Sequence, residues 1–230
     1  MVDIPEQQKQ SCYTIDLKKD GNIIFYAASG YGKTVFLTTL VKVILSQIED
    51  RTWVFDSKAG QLYYSRELPQ VTYVESGEEL EDFIEDIRQE CAERKRKFAE
   101  CQKRGEAAGP REFYAALPVC ALIIDDTDDF AEQCSAFAGE IEECLTMAAD
   151  TGVLIAAATQ SGRKKGFDEV TKWFKTAAAG MLVGSPGMMS VFPNVPAREL
   201  PVLGEGLLYS QGSYERLLLP RYEEQKGGQR

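Results

Sequence analysis

The sequence predicts an α/β fold: a mostly parallel sheet flanked by helices and closed by a C-terminal antiparallel hairpin. Three observations carry that expectation. Short apolar runs alternate along the chain with stretches of helical periodicity, the order that βαβ units produce. The runs lack strict apolar–polar alternation, as strands do when helices cover both faces of their sheet. Near the end, two apolar segments flank Gln211-Gly212-Ser213, a turn signal.

Taken in order, residues 1–10 (MVDIPEQQKQ) are polar, contain a proline and have no periodicity. The chain closes on the equally polar EEQKGGQR. Both ends read as linkers, so 1–12 is expected to be a lead-in, 13–222 the domain and 223–230 a flexible tail. Strands are expected at 22–26 (NIIFY), 52–56 (TWVFD), 71–74, 119–124 (VCALII), 153–158 (VLIAAA) and 181–183. Val35, Leu37, Leu40, Val41 and Ile44 carry a helical pattern after the first of these. Ser76-Gly77-Glu78-Glu79 reads as a capping box, followed by Leu80, Phe83, Ile84, Ile87, Cys91 and Phe98 at the spacing of one long amphipathic helix. A further helix is expected with Phe130, Cys134, Phe137, Ile141, Leu145 and Ala148 on one face. Asp129 and Glu132 form its capping box, and Asp150, Thr151 and Gly152 its end. Segments 206–209 and 214–219 form the closing hairpin.

Composition narrows the chemistry. Hydrophobic residues make up 44% of the 230 and charged residues 27%, which suits a soluble globular domain. There is no histidine, so Ser-His-Asp and Cys-His catalysis and the commonest zinc sites are excluded. Six cysteines without a C-x-x-C pair read as free thiols. A net charge of −10 counts against a nucleic-acid surface, and the longest apolar stretch, interrupted by Thr38, Thr39 and Lys42, is no membrane span. The basic run Arg94, Lys95, Arg96, Lys97, Lys103 and Arg104 follows acidic first turns, which suits a solvated helix face. Met188, Met189, Val191 and Phe192, between Pro186 and Pro193, read as a buried loop or as part of an apolar groove for a protein partner.

The strand at 22–26 runs into Ala27-Ala28-Ser29-Gly30-Tyr31-Gly32-Lys33-Thr34 and then into a helix, the arrangement of a phosphate-binding P-loop. Backbone N–H groups from Gly30 to Thr34 are expected around the β-phosphate, with Lys33 reaching the β- and γ-phosphates and the Thr34 hydroxyl on Mg²⁺. Ser29, Gly30, Tyr31, Gly32, Lys33, Thr34 and Val35 are the nucleotide-binding candidates. Ala27 stands where the full motif has its first glycine; if that position needs positive φ, the methyl costs about 1–2 kcal/mol. The apolar strand ending Asp125-Asp126 reads as a Walker B element, with Asp125 holding Mg²⁺ through water and Asp126 orienting the attacking water. Helix capping is assigned to Asp128 and Asp129. Gln160, ending another apolar strand, is a candidate sensor of the γ-phosphate.

The succession of P-loop, TWVFDSKAG, IIDDTDDF, AAATQ and GEGLLY resembles the FtsK/SpoIIIE-type ATPase module across nearly the whole chain. It is most similar to the type VII secretion branch known as EssC, YukB or EccC. The VDIPEQQKQ lead-in is similar to the linker before each of that protein's tandem ATPase modules, while the ending soon after the hairpin, Ala27 and the Asp-Asp pair most resemble its last, C-terminal module. The resemblance implies a RecA-like P-loop NTPase fold, ATP and Mg²⁺ as cofactors, and neighbouring ATPase modules as partners. It further implies a hexameric, membrane-anchored parent with this part in the cytoplasm, and WXG-type helical proteins as export substrates. It also implies a degenerate site with weak hydrolysis, and Arg163 is a candidate arginine finger. A second reading keeps the fold but makes the module a nucleotide-assisted docking element. A third, a DNA translocase, is opposed by the net charge of −10.

Overall fold

The computed structural model describes residues 2–4, 9–11, 22–28, 30–47, 51–56, 62–106, 109–159, 169–176, 179–183, 204–210 and 213–218, and the statements below concern these residues. The strands are β1 (Val2–Ile4), β2 (Lys9–Ser11), β3 (Ile23–Ala27), β4 (Thr52–Phe55), β5 (Val71–Val74), β6 (Cys120–Ile124), β7 (Val153–Thr159), β8 (Ala179–Val183), β9 (Glu205–Ser210) and β10 (Ser213–Leu218). The helices are α1 (Lys33–Gln47), α2 (Leu80–Lys103), α3 (Pro110–Ala116), α4 (Thr127–Gln133), α5 (Ala138–Asp150) and α6 (Glu169–Thr176).

All ten strands join one sheet in the order β2-β1-β10-β9-β8-β3-β7-β6-β4-β5. The run from β8 to β5 is parallel, and β9, β10, β1 and β2 extend it antiparallel from the β8 edge. Every residue of β3, β4, β6 and β7 is buried, which explains their unbroken apolar character: both faces are covered. One core lies between the sheet and α1, where Leu37, Val41 and Ile44 meet Phe25, Val54 and Ile123. The other lies between the opposite face and α2, α4, α5 and α6, built on Trp53, Phe55, Phe83, Ile87, Phe130 and Ile141.

The predicted strands, the long helix and the closing hairpin are all present, with ends shifted by one or two residues. Four expectations change. The lead-in read as linker contains β1 and β2, and Val2 pairs with Leu217 of β10; three-residue strands are too short to show a period. Ser76 makes no side-chain cap, because a 3₁₀ turn, Gly77–Glu79, precedes α2 and displaces the box by one residue; Glu79 Oε2 accepts from the Glu75 N–H at 3.5 Å. The single helix expected after β6 is α4 and α5 separated by a 3₁₀ turn, Ser135–Phe137. Arg94 is not on a solvated face. It is 1% exposed and donates to the Thr151 and Pro118 carbonyls at 3.2 and 2.6 Å, to Cys120 Sγ at 2.9 Å and to Glu90 at 3.1 Å. Helices α3 and α6 carried no sequence expectation.

Candidate nucleotide-binding site

The site lies at the carboxyl ends of β3, β6 and β7, where parallel α/β sheets place their ligands. From β3 the chain turns at Ala28, whose carbonyl accepts from the Tyr31 N–H at 3.2 Å, and enters α1, with the Gly32 carbonyl accepting from the Phe36 N–H at 2.9 Å. Gly30 and Gly32 have φ of +84° and +81°, the left-handed region that disfavours a Cβ. A Cβ on either would meet nothing within 4 Å, so backbone conformation rather than space requires glycine there. Ala27 is different. It is the last residue of β3, paired in register with Val183 and fully buried, so its backbone is extended. The expected methyl penalty does not arise, because the turn that needs glycine begins beyond it.

Lys33 opens α1, and its Nζ lies 3.5 Å from Asp126 Oδ2 at the end of β6. This brings together two candidates separated by 93 positions. Both side chains are largely buried, at 12% and 5% exposure, so their attraction is only weakly screened. Asp126 has a second duty. Its Oδ1 accepts from the Asp128 and Asp129 N–H groups at 3.1 and 3.3 Å, making it the N-cap of α4. The capping assigned to Asp128 and Asp129 therefore belongs to Asp126, since β6 passes into α4 with only Asp125 and Asp126 between. Asp128 instead accepts from Thr159 Oγ1 at 3.3 Å, and Asp129 accepts from Gln133 at 3.0 Å.

Asp125, 6% exposed, follows β6 beside Asp126. Strand alternation points Asp125 to the α1 side of the sheet, with Ala121 and Ile123. Tyr26, on the opposite face of β3, donates to the Phe174 carbonyl of α6 at 3.0 Å. Burial, reinforced by the Asp128 charge, pushes its phenol far above the usual range. Tyr31 and Val35 flank the turn and the first helical residues, Val35 being exposed. Ser29, the Thr34 side chain, Gln160, Arg163, Met188, Met189, Val191 and Phe192 lie outside the described residues.

Sequence reasoning assigned no role to two residues that the structure brings to this edge. Thr159 ends β7 and joins Asp128. Asp56 follows β4, 1% exposed, its Oδ2 accepting from the Leu62 N–H at 2.7 Å and the Tyr73 hydroxyl at 2.9 Å. Burial first, and then this bond, hold the Tyr73 phenol well above its ordinary range, so it remains a donor. The available signal for Asp56 was a carboxylate closing a wholly apolar run, the same pattern as in the Asp125 strand.

No protein-family model matches the chain. It is 24% identical over 224 residues to the ESX secretion system protein EccC of Geobacillus thermodenitrificans, a match covering 90% of this chain and 14% of that protein. It is 28% identical over 161 residues to the type VII secretion system protein EssC of Staphylococcus aureus, covering 67% and 11%. The chain thus spans a small part of these relatives. Among solved structures, the cytoplasmic domain of EssC superposes with a TM-score of 0.75 at 20% identity, over 91% of this chain and 41% of that one. The conjugation coupling protein TcpA of pCW3, solved with ATPγS, gives 0.67 at 18% identity, over 89% and 61%. ATPases 2 and 3 of Thermomonospora curvata EccC, in complex with a signal sequence peptide, also give 0.67, at 14% identity over 95% and 40%. Relatives and architecture agree: the chain is similar in sequence to the EccC and EssC proteins of type VII secretion and shares the fold of the EssC cytoplasmic domain.

Proposed function

We propose that this chain is the ATP- and Mg²⁺-binding module of a type VII secretion motor that exports small WXG-type helical proteins, with slow hydrolysis of its own. The observation that carries the reading is the turn through Gly30 and Gly32 that delivers Lys33 within 3.5 Å of Asp126. Ser29, Gly30, Tyr31, Gly32, Lys33, Thr34 and Val35 would hold the nucleotide, and Thr34 and Asp125 the cation. Bound Mg²⁺ supplies charge neutralisation on the phosphate oxygens. Lys33 adds an ammonium at the head of α1, where the helix dipole also favours anions. Asp126 would orient the attacking water, and Gln160 would sense the γ-phosphate. Asp126 is committed to the α4 cap through one oxygen and to Lys33 through the other, which supports slow turnover.

The ATPγS in TcpA and the signal peptide on EccC support nucleotide and exported protein, respectively, as ligands of this fold. Neighbouring ATPase modules, a hexameric parent and attachment of that parent to the cytoplasmic side of a membrane belong to the same proposal. No helix among the described residues is long and apolar enough to cross a membrane. The DNA-translocase reading is opposed by the net charge of −10. The test is export from cells carrying the whole parent protein. Lys33→Ala is expected to lower secretion of small helical proteins severalfold, and undiminished secretion contradicts the reading.

A further inference from the structure

The C-terminal edge of the sheet carries a buried carboxylate that the P-loop and Walker B pattern does not use. Asp56 follows Phe55 of β4, and Asp125 follows Ile124 of β6; Phe55 and Ile124 are register partners, and the Asp125 N–H donates to the Phe55 carbonyl at 3.1 Å. Asp56 and Asp125 therefore stand side by side on adjacent parallel strands. Alternation sets their direction. Val54 and Ile123 belong to the core on the α1 side, and Phe55 and Ile124 to the opposite core, so Asp56 and Asp125 both point to the α1 side. Leu62, whose N–H bonds to Asp56, lies in that same α1-side core.

The two oxygens of Asp56 are used unequally. Oδ2 takes both donors, Leu62 and Tyr73, while Oδ1 accepts no hydrogen bond among the described residues although the side chain is buried. A buried carboxylate oxygen without a donor is costly, and one standing next to a second carboxylate is more so. A hydrated cation removes both costs, because its waters donate and its charge offsets the pair.

We propose that Asp56 is a further residue of the nucleotide site, accepting through Oδ1 a hydrogen bond from the water shell of the divalent cation that Asp125 serves. This rests on the nucleotide reading above. Asp56 acts through water rather than by direct ligation, so it is a positioning residue. The Leu62 N–H and the Tyr73 hydroxyl both donate to its other oxygen, Oδ2, and neither touches Oδ1.

The test measures metal dependence rather than turnover. A fluorescent ATP analogue is bound to the 230-residue chain while Mg²⁺ is titrated, with EDTA as the metal-free arm. Asp56→Asn keeps an oxygen for Leu62 and Tyr73 but replaces Oδ1 by an amide donor. It is expected to raise the Mg²⁺ half-saturation about tenfold or more, the usual cost of losing an outer-shell partner, with EDTA binding unchanged. Tyr73→Phe removes a bond to Oδ2 only and is expected to leave the Mg²⁺ midpoint in place. Equal midpoints for wild type and Asp56→Asn overturn the inference, as does an equal shift in Tyr73→Phe, which would mark a purely structural role. Should Asp56→Asn not fold, Mn²⁺ with the nucleotide on wild type serves instead. The Leu62 amide resonance is expected to broaden, and a sharp Leu62 signal at saturation overturns the inference. A wild type that binds no nucleotide under any condition overturns the nucleotide reading and this inference with it.

Discussion

The side chain of Asp126 joins two parts of the site, and its oxygens can be separated by mutation. Asparagine is as good an N-cap as aspartate, so Asp126→Asn should keep α4 while removing the charge that faces Lys33. Alanine also removes the cap. Asp126→Ala should therefore unfold at lower denaturant than Asp126→Asn, by about 1 kcal/mol, and neither should sustain ATP turnover. Equal unfolding midpoints for the two variants would refute the capping role. Ala27 supplies a contrasting case: because it is a buried, extended strand residue, restoring the motif's glycine has nothing to relieve. Ala27→Gly is expected to cost about 0.5–1 kcal/mol in thermal or urea unfolding and to leave ATP affinity unchanged. A gain in affinity would show that the turn is distorted by the methyl after all.

Among the elements, α2 is anchored by Arg94, whose guanidinium ties the helix to the start of β6 and to the turn after α5. Removing it leaves the Pro118 and Thr151 carbonyls and the partly buried Glu90 short of a donor. Arg94→Ala should cost about 3–5 kcal/mol in urea unfolding, and lysine should recover little because it lacks the forked donors. A loss below about 1 kcal/mol would contradict this. Arg94 also shows where the sequence stops being legible. Its neighbours Lys95, Arg96 and Lys97 are exposed as a basic run implies, and only the helix's rotation onto β6 decides that the first of the four is buried. The buried strands were readable because three to six consecutive apolar residues admit few other environments, and the turn before α1 because glycine at fixed offsets before Lys33 has a backbone cause. Helix α6 was not: its buried residues, Val170 and Phe174, are a single i, i+4 pair. Strands β1 and β2 owe their existence to pairing with β10 and with each other, which no local pattern encodes. Asp56 was visible as a residue but not as a neighbour of Asp125, since that depends on the β4–β6 register.

On the scale of the whole molecule, α1 and the helices opposite it bury the sheet from both sides, and the thiols of the second core report on its integrity. Burial pushes the Cys134 and Cys144 thiols up from the ordinary 9.0 to about 12. A folded-state pKa raised above the unfolded value means that the unfolded chain releases these protons first. Their contribution is complete below about pH 9 and is lost as the pH rises toward 12, at about 1.4 kcal/mol per pH unit for each thiol. Urea midpoints should fall across that window, and less steeply in a Cys134→Ala, Cys144→Ala double variant; identical slopes would contradict the buried placement. The two layers also explain the position of the site: β3 and β6 end on either side of β7, so Lys33 and Asp126 meet although the chain separates them widely. A secretion motor needs that meeting point to be a nucleotide site. The most direct measurement is calorimetric titration of ATP with Mg²⁺ into the wild-type chain and into Lys33→Ala. Saturable one-to-one binding by the wild type is expected, with an affinity lower by about 10- to 100-fold in the variant, the worth of a charge-assisted contact of about 1.5–3 kcal/mol. Equal affinity in the two proteins, or no binding by the wild type, would contradict it.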